Sequence, residues 1–100
     1  MSTEKETQKA ILQYLEAKRI FHYRNNSGAT KTEHGSFLRY GYPGSPDIIA
    51  VVKGTYIGIE VKDIKGKLSP SQIAFQKELE KAGGIYIVAR DIDTIIDIFE

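Results

Sequence analysis

The stretch Asp47-Ile48-Ile49-Ala50-Val51-Val52-Lys53-Gly54-Thr55-Tyr56-Ile57-Gly58-Ile59-Glu60-Val61-Lys62 decides the fold. Asp47 to Val52 and Thr55 to Lys62 are rich in β-branched and aromatic residues, and Lys53-Gly54 between them suits a two-residue hairpin turn. If Val52 and Thr55 flank that turn, Asp47 faces Glu60 across the hairpin. Directly opposed residues of an antiparallel pair hold their Cβ atoms about 4.5–5.5 Å apart, and like charges so placed are destabilising unless a cation compensates. Lys62 lies two residues beyond Glu60 and shares its face, while Ile57, Ile59 and Val61 take the other face into a core. A slip of one residue would send the two acids to opposite faces, so the chemistry depends on the register.

Two carboxylates with room for water and a phosphate oxygen suit Mg2+ or Mn2+, hard ions that favour oxygen ligands. The chain has no cysteine and only two histidines, His22 and His34, which have no partners at metal-ligand spacing and are assigned no role. Lys62 between carboxylates reads as an electrostatic partner of a phosphate rather than a general base. Gly44-Ser45-Pro46 ahead of Asp47 allows a substrate backbone to come close, with no role assigned to Ser45 itself. Acids and lysines at strand ends are also common on plain surfaces, where Glu60 and Lys62 would form an ion pair worth under about 1 kcal/mol. The conjunction of an acid on one strand with a facing acid and lysine on the next, amid apolar residues, favours a site.

Outward from the hairpin, Thr3 to Lys18 carries Ile11, Leu12 and Leu15 at helical spacing, with Glu4, Gln8, Ile11 and Leu15 on one stripe. Ile20 to Arg24 reads as a strand, Asn25 to Gly35 as a loop, and Ser36 to Tyr40 as a second short strand ended by the turn cluster Gly41 to Pro46. After a polar loop from Asp63 to Leu68, Ser69-Pro70-Ser71-Gln72 has a helix cap, a proline at the first position and a glutamine three residues after the cap. That helix stops at Gly83-Gly84, Ile85 to Ala89 is a buried-type strand, and Asp91 to Glu100 is a helix with Ile92, Ile95, Ile96 and Phe99 on one side. The expected architecture is α/β, in the order α-β-β-β-β-α-β-α.

One hundred residues make a single domain, 1–100, and 41% hydrophobic with 27% charged residues excludes disordered and fibrous classes. The longest apolar run, Ile48 to Val52, is far short of a membrane span, and no secretory signal is visible at the start, so an intracellular protein without membrane contact is expected. Net charge is +1, yet from Ala17 to Pro46 the residues Lys18, Arg19, Arg24, Lys31 and Arg39 stand against Glu33 alone, a local excess of +4. A basic stretch gains free energy by displacing counterions from nucleic acid, although a solvated loop has the same composition.

Gly44-Ser45-Pro46-Asp47, twelve residues, then Glu60-Val61-Lys62 resembles the PD-(D/E)xK nuclease superfamily. Within it the chain is most similar to the virus-type replication-repair nuclease (VRR-NUC) domain. The added features are the Glu-rich helix start followed by Gln8, Arg24-Asn25-Asn26-Ser27-Gly28, Gly44 before the proline-aspartate pair, and Gly66 to Gln72 after the lysine. The resemblance spans nearly the whole chain and implies a restriction-endonuclease-like core, a mixed β-sheet flanked by helices. It implies that Asp47 and Glu60 bind the divalent ion, that the backbone carbonyl of Val61 adds a ligand, and that Lys62 contacts the attacked phosphate or its water. Gln72 matches a glutamine placed beside the site, although helix capping explains it equally. The first-helix acid is Glu4 or Glu6. Helical phasing favours Glu4 as a further metal ligand, whereas both are also suited to the helix dipole.

The resemblance implies a metal-dependent endonuclease that hydrolyses DNA phosphodiesters and leaves a 5′-phosphate, with no organic cofactor. A chain of this size has little surface for base readout, so recognition of branched, flapped or four-way (Holliday) junction DNA, as in repair, is expected. In that setting Arg24, Asn26, Ser27, Lys31 and Arg39 would hold phosphates, and Tyr40 and Tyr42 would stack on unpaired bases or lie against sugars. Symmetric cutting asks for a homodimer, and the last helix offers an apolar stripe that serves as either core or interface. Small size and the virus-type resemblance point to a phage or mobile-element origin. The alternatives are a non-catalytic nucleic-acid-binding module on the same fold and a domain in which a cation serves stability only.

Overall fold

The structure is a computed structural model describing residues 3–25 and 28–100, with the backbone alone for 28–31 and 37–40. Its elements are α1 (Glu4–Ala17), β1 (His22–Arg24), β2 (Gly28–Lys31), β3 (Phe37–Tyr40), β4 (Ile48–Val52), β5 (Thr55–Val61), α2 (Pro70–Lys81), β6 (Ile85–Ala89) and α3 (Ile92–Phe99). The expected order is present with one further strand. β2 lies in the stretch read as a loop, where polar, glycine-bearing residues hide its pairing with β3 in a separate two-stranded ribbon.

The main sheet has the order β1-β4-β5-β6. β1 and β5 flank β4 antiparallel, and β6 runs parallel to β5. A parallel neighbour needs a crossover, and α2 supplies it. Lys53 and Gly54 both have positive φ, as a tight hairpin turn requires, and the ladder pairs Val52 with Thr55 through Ile48 with Ile59. Continued one residue further, the same register sets Asp47 opposite Glu60.

Alternation along the strands splits the sheet into two faces. Ile48, Ala50, Ile57, Ile59, Val61, Ile87 and Ala89 meet Ile11 and Leu15 of α1 and Ile95 of α3 in the core. Ile92 and Phe99 pack against the same cluster, so the α3 stripe is spent on the core, leaving Ile98 exposed. The opposite face carries Glu60 and Tyr86 and is covered by α2, whose Phe75 lies 6.3 Å from the Tyr86 ring.

Both long helices begin with capping boxes. The Thr3 hydroxyl accepts from Glu6 N–H, and Thr3 N–H donates to the Glu6 carboxylate, each at 3.1 Å. Those bonds hold the Glu6 carboxyl below its ordinary range. At α2 the Gln72 Oε1 accepts from Ser69 N–H at 2.8 Å.

The turn before β4 is pinned to the start of α2 through Gly44. Its φ is +77°, and a Cβ there would stand 2.1 Å from the Ser71 carbonyl oxygen, so both backbone conformation and space exclude a side chain. Gly44→Ala is therefore expected to destabilise the fold by about 2 kcal/mol or more, lowering Tm by roughly 10 °C in thermal unfolding. An unchanged Tm would contradict this close approach.

Candidate active site

The site forms where the β4–β5 ladder ends. In the continued register Pro46 stands opposite Val61, and a proline has no N–H to give to the Val61 carbonyl. The Asp47 side chain takes over part of the ladder's work, its Oδ2 accepting Val61 N–H at 2.8 Å. Lys62 N–H turns the other way, to Ala89 O at 3.0 Å, as strand alternation requires. The Val61 carbonyl is thus left on the Asp47 side without a backbone donor opposite it.

The residues before Asp47 are tied down from β1 and β5. Asn25 Nδ2 donates to Ser45 Oγ and to the Pro46 carbonyl, both at 2.9 Å, and Asn25 N–H donates to the Asp47 carbonyl at 2.8 Å. Ser45 is buried, so it has a positioning contact where the sequence offered it none. Below it the Pro46 ring packs on Gly58, where a Cβ would stand 2.6 Å from Pro46 Cγ. Asn25 was missed for a plain reason. Its value lies in a contact twenty residues away, visible only once β1 is registered on β4.

Glu60 is only 4% exposed. Its Oε2 accepts from Gln72 Nε2 at 3.0 Å and lies 3.6 Å from Lys62 Nζ. Its Oε1 is buried with no hydrogen-bond partner among the described residues. Gln72 therefore does both things open to it, capping α2 through its oxygen and holding Glu60 through its nitrogen. Burial, and next the charge of Asp47, push the Glu60 carboxyl up to about 7 against the pull of Lys62. Burial first, then the Glu60 and Asp47 charges, raises the neighbouring Tyr86 phenol, whose hydroxyl is likewise buried and unpaired among the described residues. It forms a neutral wall.

The donor set fits a small divalent cation. An orphaned buried carboxylate oxygen, a second carboxylate and a backbone carbonyl without a ladder donor are hard oxygen groups, and Mg2+ is commonly held by one or two carboxylates with water filling the rest. No group of three or more His, Asp or Glu side chains able to hold a metal occurs among the described residues. Glu4 is exposed, so the inward orientation expected from helical phasing is corrected: the buried stripe of α1 is Thr7, Ile11 and Leu15. Glu4, Lys5 and Glu6 are exposed, and burial along α1 starts only at Thr7. Glu6 is occupied by its capping box.

Of the residues expected to touch nucleic acid, Arg24 is exposed at the end of β1, next to the Asn25 that fastens Asp47. Tyr42 is 67% exposed and rests edge-on against Phe75, with ring centroids 5.5 Å apart. Lys31 and Arg39 occupy register positions on the β2–β3 ribbon, and Tyr40 ends it. Asn26 and Ser27 lie outside the described residues.

An acid whose carboxyl is raised in the folded state binds its proton more tightly there than in the unfolded chain, so folding is favoured below the unfolded value and loses that advantage as pH rises. In chelator, wild-type stability attributable to Glu60 should fall between about pH 4.5 and 7. Glu60→Gln should remove this slope and melt higher than wild type at pH 8, by an amount on the order of 3 kcal/mol at most. Parallel Tm–pH curves for the two proteins would show that Glu60 is not strained.

No protein-family model matches the chain, and no curated protein matches it. Among solved structures it is similar to a VRR_NUC domain, at a TM-score of 0.71 and 22% identity, covering 99% of this chain and 100% of that one. It is also similar to a VRR_NUC domain protein at a TM-score of 0.63 and 22% identity, covering 97% of this chain and 84% of that one. Such identities speak of backbone architecture rather than chemistry. The resemblance drawn from the Gly44-to-Asp47 and Glu60-to-Lys62 residues thus has its counterpart in three dimensions: the chain carries the fold of the VRR_NUC domain.

Proposed function

We propose that the protein is a divalent-metal-dependent endonuclease that hydrolyses DNA phosphodiester bonds. The observation that carries this reading is the opposed Asp47 and Glu60 pair, with Glu60 Oε1 buried and unpartnered among the described residues and Lys62 Nζ 3.6 Å from the other oxygen. Such a pair is under electrostatic strain that a shared cation relieves.

Asp47, Glu60 and the Val61 carbonyl would hold Mg2+ or Mn2+. When bound, that ion supplies charge neutralisation at phosphorus and water activation. The chain's own groups do the remaining work. Lys62 sets an ammonium beside the acids, where it stabilises negative charge growing on the phosphate oxygens. Gln72 holds Glu60 in one orientation, and Asn25 and Gly44 hold the turn that presents Asp47. Arg24, Lys31 and Arg39, with Asn26 and Ser27, would grip phosphates, and exposed Tyr42 offers a ring for an unpaired base. The modest surface of the domain leaves little room for reading base sequence, which favours selection of branched, flap or four-way DNA by shape. Cutting both strands of such a junction would call for a twofold pair of chains. Among the described residues no helix is long and apolar enough to cross a membrane.

The test is incubation with single-stranded, duplex, flap and four-way DNAs with and without Mg2+. Wild type should cut only with the metal, Glu60→Gln should lose at least about 100-fold in rate, and Lys62→Ala a comparable factor, while all three bind DNA in chelator. Binding without cutting under any metal would instead identify a non-catalytic DNA-binding module.

Gln72 separates its two contacts by readout. Gln72→Ala should lower stability by about 1 kcal/mol through the cap and weaken Mg2+ dependence of cutting by roughly 10–100-fold through Glu60. A change in stability alone would confine it to the helix start.

A further inference from the structure

A cleft of about 260 Å³ opens between α1 and the edge strand β1, lined by Lys5, Gln8, Lys9, Leu12 and Arg24. Its lining contains three cations and no acid. Lys5 and Lys9 stand four residues apart on one helix, a spacing at which like charges repel. Lys5 also sits in the first turn, where the helix dipole disfavours a cation. Among the described residues none of the three cations is in an ion pair. Arrangements that oppose helix stability in two ways at once are relieved by an anion. Leu12 and the lysine stems give the lining an apolar part, which suits a sugar face beside the charge.

The position says which anion. Arg24 pairs with Ile48, one residue from Asp47, and the adjacent Asn25 N–H bonds to the Asp47 carbonyl. The cleft therefore lies at the same end of the sheet as the acids, around the edge strand from them. We propose that Lys5, Lys9 and Arg24, with the Gln8 amide, hold a backbone phosphate of the DNA strand flanking the one that is cut. Binding there orients the strand across Asp47 and Glu60 and adds affinity indifferent to base sequence. This rests on the nuclease reading and adds Lys5, Gln8 and Lys9 to it.

The test compares Lys5→Gln/Lys9→Gln with a control of equal charge change, Lys77→Gln/Lys81→Gln on α2. DNA binding is measured in chelator by fluorescence anisotropy between about 50 and 200 mM salt. The α1 pair should bind about tenfold or more weakly and reduce the slope of log K against log salt by about 0.9, the value for one phosphate contact, while the α2 pair leaves the slope unchanged. Thermal unfolding should show the α1 pair as stable as wild type or more so. Single-turnover cutting at subsaturating protein should fall in step with the lost affinity.

Equal losses in both pairs would overturn the cleft in favour of general charge. Unaltered binding by the α1 pair, with a wild type that binds and cuts, would overturn the cleft and leave the nuclease standing. A wild type that neither binds nor cuts DNA ends both. If the α1 pair loses inorganic phosphate binding, followed by the Gln8 amide resonance, yet keeps full DNA affinity, the cleft is a free-anion site and the strand contact is wrong.

Discussion

Electrostatic repulsion between Asp47 and Glu60, pressed together at the open end of an antiparallel ladder, is the constraint around which the rest of the molecule is arranged. Left alone, two carboxylates at that spacing would spread apart or take up a proton. Neither acid can move far. Asp47 is bonded to Val61 N–H, and its preceding turn is fastened by Asn25 and wedged under α2 at Gly44. Glu60 lies in the middle of the sheet, clasped by Gln72 from the first turn of α2. The fold spends part of its core's stability on holding this pair, a pattern expected of sites that must be ready before their ligand arrives.

The division of labour between the two sheet faces makes this workable. Ile and Val side chains from β4, β5 and β6 meet α1 and α3 on one side and provide the apolar burial that stabilises the domain. The other side is free to carry Glu60, Tyr86 and the aromatic contacts of Phe75 with Tyr42 and Tyr86. Pro46 is the hinge between these roles. As a residue without an N–H it ends the ladder one step before Asp47, leaving the Val61 carbonyl without a backbone donor where a ligand can use it.

Most of this geometry was legible because it follows from periodicity. A two-residue turn at Lys53-Gly54 dictates the register, the register dictates that Asp47 faces Glu60, and alternation puts Lys62 beside them. The α2 start was legible from Ser69-Pro70-Ser71-Gln72, although sequence alone left Gln72 between capping and the site, and it turns out to touch both. What escaped was tertiary. β2 is a strand through its partner β3, against a local composition of asparagine and glycine with almost nothing apolar. Asn25 and Ser45 matter through contacts made across twenty residues of sequence, to each other and, for Asn25, to Pro46 and Asp47. Glu4 shares a stripe with Ile11, yet a stripe buries only where something lies over it, and α1 is exposed from Glu4 to Glu6. The α3 stripe had two uses open to it, and packing against α1 and the sheet decides for the core.

The most direct measurement is the structure of crystals soaked in Mn2+, read by anomalous scattering. The account requires one anomalous peak shared by the Asp47 and Glu60 carboxylates and the Val61 carbonyl, about 2.1 Å from an oxygen of each, with Lys62 Nζ alongside but outside bonding distance. Saturating Mn2+ that leaves no peak between the two acids, or that places it on other residues, would contradict it.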